Sequence, residues 1–217
     1  MKKSSKPFPP RQKRSRESLR RMLDAAEVVL ARHGLEGATV SRIAAAAGLS
    51  PANVYRRFPD KDALMRAVFS RATGINKEEL AREVDAEQVR KIGIRDFTKQ
   101  WTAGMLQGYR ARAGLMRATV LYAQQHERTT FVQKQRDLEV QNFEKLVKTF
   151  LIWRDEMRHP DPEYAVSYGI LSVAFALREL ILFDQAHAFE EAIPVGDEHL
   201  KTELPRMFLR YLGIENT

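Results

Sequence analysis

Asn53, Tyr55 and Arg56 lie within four positions of one another in the stretch TVSRIAAAAGLSPANVYRRFPDK, residues 39–61. Side chains of these types recognise nucleic acid. An amide can pair with an adenine edge or bond a phosphate, and a phenol and a guanidinium reach phosphate oxygens. Ala52 is small enough to let the backbone approach a groove floor. Thr39 and Ser50 each precede an apolar-periodic run, where a hydroxyl caps a helix and sits at an end that favours anions. Pro51 then occupies a first helical position, where a missing N–H does no harm. The chemistry on offer is recognition of a polyanion.

Bond-making chemistry is not signalled. The chain has no Gly-rich phosphate loop, HExxH, GxSxG or Walker sequence. Glu156-Met157-Arg158-His159 has the Glu-x-x-His spacing of carboxylate-bridged di-iron bundles, which need a second copy and two further carboxylates. Asp184-Gln185-Ala186-His187 is spaced similarly but falls where a helix gives way to a loop. Without cysteine there are no disulfides, thiolate nucleophiles or thiolate metal sites. The expectation is a protein that is not an enzyme and has neither metal nor cofactor.

Charge says which part of the chain meets a polyanion. Residues 1–71 carry 16 Lys and Arg against 6 Asp and Glu, a balance of +10; residues 72–217 carry 20 against 22, a balance of −2. All the excess positive charge is in the first third, which suits a polyanion partner for that part alone. The opening MKKSSKPFPPRQKRSR is basic, but no apolar run follows it, so secretion is not expected and a cytoplasmic site is. Residues 1–14, with Lys2, Lys3, Lys6, Arg11, Lys13, Arg14 and three prolines, have nothing to bury and read as a disordered arm. That arm serves either solubility or contact with a phosphate backbone or minor groove, the latter through Lys13 and Arg14.

The elements that must position the reading residues follow from apolar spacing. Leu19, Met22, Leu23, Ala26, Val29, Leu30 and His33 predict a helix over 15–33, closed by Gly34. Val40, Ile43, Ala44 and Ala47 predict a second helix behind Thr39. Gly48 turns the chain, Leu49 plugs the turn, and Ser50 caps a third helix with Val54 and Phe58 inward. Pro59 ends it, and Asp60 caps a fourth helix reaching to about Asn76. The result is a helix-turn-helix with Ala52, Asn53, Tyr55, Arg56 and Arg57 on or near the outer surface.

TVSRIAAAAGLS followed by SPANVYRRFPDKDAL resembles the N-terminal domain of the TetR family of transcriptional regulators. The resemblance covers residues 16 to 70, about a quarter of the chain, and is most specific in Tyr55-x-x-Phe58-x-x-Lys61-x-x-Leu64. It adds a phosphate contact for Lys61. In that family the Ala52 position is often glycine and the Asn53 position Ser or Thr; these departures leave the fold alone but make the operator sequence unpredictable. The resemblance implies an all-α protein with a helix-turn-helix DNA-binding domain, residues 15–71, joined to a larger helical effector-binding and dimerisation domain, residues 72–217. It implies a homodimer on a near-palindromic double-stranded DNA operator, most often as a repressor released by a small-molecule effector.

In the second part, Ile94, Phe97, Trp101, Met105 and Tyr109 form one stripe, a short helix covers 113–125, and a long one covers 129–156. Trp101, Met105, Tyr109, Tyr122, Phe143 and Tyr168 are candidates to line an effector cavity, which points to a small hydrophobic or aromatic effector. Asp161 and Pro162 start a helix that is apolar almost all round to Phe183, and a last helix spans about 198–212. A helix apolar on every side is buried on every side or lies in lipid. Arg178 and Glu179 within it argue against a membrane. The better reading packs one face on its own domain and the other on a second subunit, with a dimer interface of Ala165, Gly169, Ser172, Ala176 and Leu180 with Leu204, Phe208 and Tyr211. Two rivals are a helical small-molecule-binding protein or enzyme with an incidental basic N-terminus, and a peripheral membrane protein. The first would keep its activity without residues 1–71, and the second would bind anionic vesicles despite competing DNA.

Overall fold

Met22, Ala26, Val29 and Leu30, three and four apart, bury one side of the first helix, α1 (Arg11–Gly37). The computed structural model describes residues 11–72, 85–183 and 196–214, with side chains from Ser15 onward, and every regular element among them is helical. The chain divides into two compact units, Met1–Thr73 and Gly74–Thr217. Helix α1 starts at Arg11, four residues before the pattern predicts, because Arg-Gln-Lys-Arg are adequate helix formers that extend an established helix cheaply. Segment 11–14 of the expected disordered arm is therefore helical in its backbone. The rest of that arm, residues 1–10, lies outside the described residues, as do the side chains of Lys13 and Arg14. At Gly34 the backbone takes φ 66°, which ends the regular part of α1 where glycine was expected to end it.

Three short helices follow, α2 (Val40–Ala46), α3 (Pro51–Tyr55) and α4 (Lys61–Ala72); α2 and α4 pack on α1, and α3 packs on α2. Their inward residues, Val40, Ile43, Ala44, Val54, Leu64, Met65, Val68 and Phe69, are buried with those of α1. Arg71 near the end of α4 reaches back to α1, donating to Asp24 Oδ1 at 2.9 Å and through Nε to Glu27 Oε1 at 2.8 Å. The predicted continuation of α4 to Asn76 lies outside the described residues.

The second unit begins with α5 (Ala86–Ile92), capped by Asp85, whose carboxylate accepts from Gln88 N at 3.1 Å. Gly93, at φ 77°, turns the chain into α6 (Ile94–Gln125). Two helices were expected here. The structure has one of 32 residues with a local distortion at Arg112, since neither proline nor a left-handed glycine breaks the ladder. Helix α7 (Thr130–Phe150) runs into a 3₁₀ turn, Leu151–Glu156, that buries Trp153. Helix α8 (Pro162–Leu177) starts at Asp161, whose carboxylate accepts from Tyr164 N, and it continues as a π-helical turn, Arg178–Leu182. Helix α9 (Asp197–Tyr211) holds Pro205 inside it. It ends in a Schellman pattern around Gly213, with Ile214 N donating to Leu209 O at 2.9 Å.

Aromatic rings fill the centre of this unit. Phe150 is fully buried, with its ring centroid 5.0 Å from Phe97, 5.3 Å from Trp101 and 4.9 Å from Phe208. Gly169 of α8 lies so close to Phe208 that a β-carbon there would stand 2.6 Å from the ring. That contact involves residues of the expected dimer interface. Ala165, Gly169, Leu204 and Phe208 are sealed inside one protomer, where they join α8 to α9. Ser172, Ala176, Leu180 and Tyr211 are half-buried at the margin. The outward face of α8 is instead Tyr164, Tyr168, Leu171 and Phe175, with Met207 of α9 also exposed.

Candidate nucleic-acid interface

The turn between α2 and α3 is fixed by backbone chemistry. Gly48 takes φ 66° and donates to Ala45 O at 3.1 Å, and Leu49 N donates to Ala44 O at 2.9 Å. This is again a Schellman end, with half-buried Leu49 as its plug. Thr39 and Ser50 are the expected N-caps: Thr39 Oγ1 accepts from Arg42 N at 3.2 Å and Ser50 Oγ from Asn53 N at 3.3 Å. Both residues are exposed, and an accepting hydroxyl keeps its own hydrogen for a phosphate. With only five residues, α3 adds little dipole, so anion contact falls to side chains.

Val54 anchors α3 at 1% exposure, and its other faces follow from that anchor. Pro51, Ala52, Tyr55 and Arg56 are exposed and Asn53 is half-buried. Tyr55, 52% exposed, is the largest apolar surface on the helix. Phe58 is half-buried rather than fully inward.

Three further basic side chains are spent on the protein itself. Lys61 Nζ donates to Leu35 O at 3.0 Å, so the residue assigned to phosphate by resemblance also holds the start of α4 to the end of α1. Arg42 donates to Gly37 O, and Arg57 donates to Ser15 Oγ across 42 positions of sequence. The sequence pattern gave Arg42 no role and put Arg57 on or near the outer surface, whereas Arg57 is half-buried. Arg42 reaches back five residues and Arg57 reaches back 42, and neither spacing is one that apolar periodicity marks.

Of the six candidates for an effector cavity, the structure brings four together. Trp101, Met105 and Tyr109 follow one another along α6, and Phe143 of α7 joins them against the aromatic core; all four are half-buried. Burial pushes the Tyr109 phenol above its ordinary range, a rise that Arg178 opposes and Glu139 reinforces. Tyr122 is buried elsewhere, stacked on His126 at 4.1 Å with Phe131 at its edge. Tyr168 points outward on α8, stacked with Tyr164. Both depart from the expectation because a stripe of aromatic residues does not encode which helix faces which. His159, weighed as a metal ligand, bonds the backbone of Asp161 and packs 5.1 Å from Tyr211. Among the described residues, no group of three or more His, Asp or Glu side chains is placed to hold a metal.

Residues 22–68 match the family model of the bacterial regulatory proteins, tetR family. No curated protein matches the chain in sequence. Among solved structures, the fold is similar to a candidate TetR-family transcriptional regulator of Mesorhizobium loti, with TM-score 0.62 and 17% identity over 94% of this chain and 99% of that one. A TetR family transcription regulator of Marinobacter aquaeolei gives TM-score 0.59 and 18% identity over 93% and 98%. A transcriptional regulator of Rhodococcus sp. Rha1 gives TM-score 0.59 and 19% identity over 92% and 100%.

Proposed function

From the premise that this chain carries the helix-turn-helix and the all-α fold of the TetR family, we propose that it is a homodimeric, ligand-responsive repressor of transcription. The observation that carries the reading is α3 itself: one buried valine below, and Ala52, Tyr55 and Arg56 exposed above, with Asn53 between them. Two such helices enter successive major grooves of a near-palindromic operator, about 34–36 Å apart for half-sites one turn apart. With ~4 phosphates neutralised per subunit, log K falls with log[salt] at a slope of about −7. Lys13, Arg14, Thr39, Ser50 and Lys61 supply phosphate contacts beside the reading set.

Dimerisation uses the outward face of α8. Tyr164, Tyr168, Leu171 and Phe175 recur at steps of four, three and four, with exposures of 57%, 51%, 40% and 52%. Pro162–Leu182 is long and apolar enough to cross a membrane by length and composition alone. Its other face is core, however, and Arg178 and Glu179 are paired within it at 2.8 Å, so a second protomer is the better cover. A hydrophobic or aromatic effector bound near Trp101, Met105, Tyr109 and Phe143 favours the conformer that does not fit the operator, and DNA weakens effector binding by the same factor. The protein works where its DNA is, in the cytoplasm, without catalysis.

The test is a gel shift with genomic fragments containing inverted repeats. Retardation that weakens steeply with salt is expected. A folded dimer that retards no fragment at low salt removes the DNA-binding reading.

A further inference from the structure

We propose that the effector is an aromatic or hydrophobic organic cation, a protonated amine or quaternary ammonium compound, and that the carboxylate of Glu139 is its counter-ion. The proposal rests on the effector reading above and names the charge of the molecule that fits it. Glu139 and Phe143 lie one turn apart on α7, so they share a face, with β-carbons about 5–6 Å apart. Phe143 packs with Trp101, Met105 and Tyr109 of α6 against the aromatic core. Tyr109 stands at the far end of that stripe, about 12 Å of helical rise from Trp101. Glu139 is near enough to its phenol to reinforce the rise in the phenol pKa.

The charges around this end of the stripe do not cancel. Arg178 is already committed: its Nε and Nη2 donate to Glu179 Oε1 at 3.0 and 2.8 Å, and its guanidinium carbon lies 5.2 Å from the Phe175 ring centroid. Glu139 makes no ion pair or hydrogen bond among the described residues. It is open to solvent, yet the protein around it pushes its carboxyl above the ordinary carboxylate range, a rise that Arg136 opposes. A side chain both accessible and crowded lies in a concave part of the surface, where water reaches it but solvates it poorly. Such a carboxylate gains most from a partner whose positive charge is itself weakly hydrated. A soft organic cation meets that need, and it is attracted as well to the electron-rich faces of Tyr109, Phe143 and Trp101. An anionic effector would meet the opposite field, an unpaired carboxylate beside a guanidinium already paired. A neutral one would leave the carboxylate without a partner.

The test titrates the full-length protein calorimetrically with tetraphenylphosphonium, tetraphenylborate and the neutral triphenylphosphine oxide, bulky aromatic probes that differ in charge. The chain carries a net charge of +8, so non-specific attraction favours the borate and works against any preference for the phosphonium. Wild type should bind the phosphonium about tenfold more tightly than either of the others. Glu139→Gln keeps the shape and removes the charge. It should weaken phosphonium binding by roughly tenfold and leave the oxide unchanged, with circular dichroism confirming intact helices. Glu139→Lys should turn the preference towards the borate. Phosphonium should also quench the emission of wild type, and Trp101→Phe should abolish most of that quenching. An oxide bound as tightly as the phosphonium overturns the cationic effector and leaves the effector site standing. Glu139→Gln binding the phosphonium like wild type overturns the counter-ion. Quenching undiminished in Trp101→Phe places the ion elsewhere and overturns the contact with this stripe. Binding of none of the probes removes the effector-site reading itself, and the proposal with it.

Discussion

Replacing Phe175 by alanine tests the dimer face where the structure is most explicit. Phe175 is 52% exposed on the outward side of α8, so about 100 Å² of a ring carrying 150–250 Å² awaits a partner. At ~25 cal/mol per Å², covering that area contributes about 2.5 kcal/mol. A twofold interface counts the change twice, ~5 kcal/mol, and incomplete burial brings it to roughly half of that. The dimer Kd should therefore rise by roughly 60- to 4,000-fold. Arg178 complicates the picture, because its guanidinium carbon lies 5.2 Å from the Phe175 ring centroid. A cation–π contact at such a site is worth about 0.5–1 kcal/mol. Phe175→Leu separates the two effects, since it keeps most of the apolar area and gives up the ring. Sedimentation equilibrium from nanomolar to micromolar protein reads the Kd, and circular dichroism confirms that the protomer keeps its helices. An alanine variant that dimerises within threefold of wild type would refute the assignment of this face.

Three further outcomes follow from contacts already described. Gly169→Ala forces a β-carbon towards Phe208 and should destabilise the second unit by about 1–3 kcal/mol, read by urea denaturation; an unchanged midpoint would mean that α8 and α9 can separate freely. Lys61→Met removes the bond to Leu35 O and should cost about 1–2 kcal/mol of stability, while a fall of about 1.8 in the dimer's salt slope, one contact per subunit, would show that Lys61 also neutralises phosphate. Burial raises the Tyr109 pKa in the folded chain, so above pH 10.0 the folded state holds a proton that the unfolded state has lost. Stability contributed there is present below that pH and declines as pH rises through the folded value. Tyr109→Phe should flatten the decline in denaturation midpoints between pH 9 and 11, and a steeper decline in the variant would contradict the burial argument.

The helix-turn-helix was legible in the sequence because each of its decisions is local. Caps at Thr39 and Ser50, a positive-φ glycine at 48 and a proline at helix position one are each satisfied within a few residues, and the backbone geometry repeats them one by one. The outward set followed from a single anchor, Val54, since a helix of five residues has one inner face. What is less legible is the use of the flanking charges. Lys61, Arg42 and Arg57 look alike from sequence, yet each finds an oxygen on α1, at separations of 26, 5 and 42 residues that share no spacing rule.

The apolar helix from Pro162 to Leu177 failed to declare its faces for a different reason. Where every position is apolar, hydrophobic periodicity has no contrast, and direction must come from a neighbour. Small residues at 165 and 169 suggested close approach, which was correct, but the partner assigned to them was another subunit. Within the protomer, Phe208 already fills the groove that Gly169 opens, and Ala165 beside it is fully buried. A groove filled from within is not open to a second chain, so any association must use the bulky residues on the opposite side. Tyr164, Tyr168, Leu171 and Phe175 carry that consequence: an interface built from them gains its energy from aromatic area covered, whereas one built on Ala165 and Gly169 would have gained it from close backbone approach. An added methyl at position 169 should therefore injure the fold before it affects the dimer. Truncating Phe175 should do the reverse.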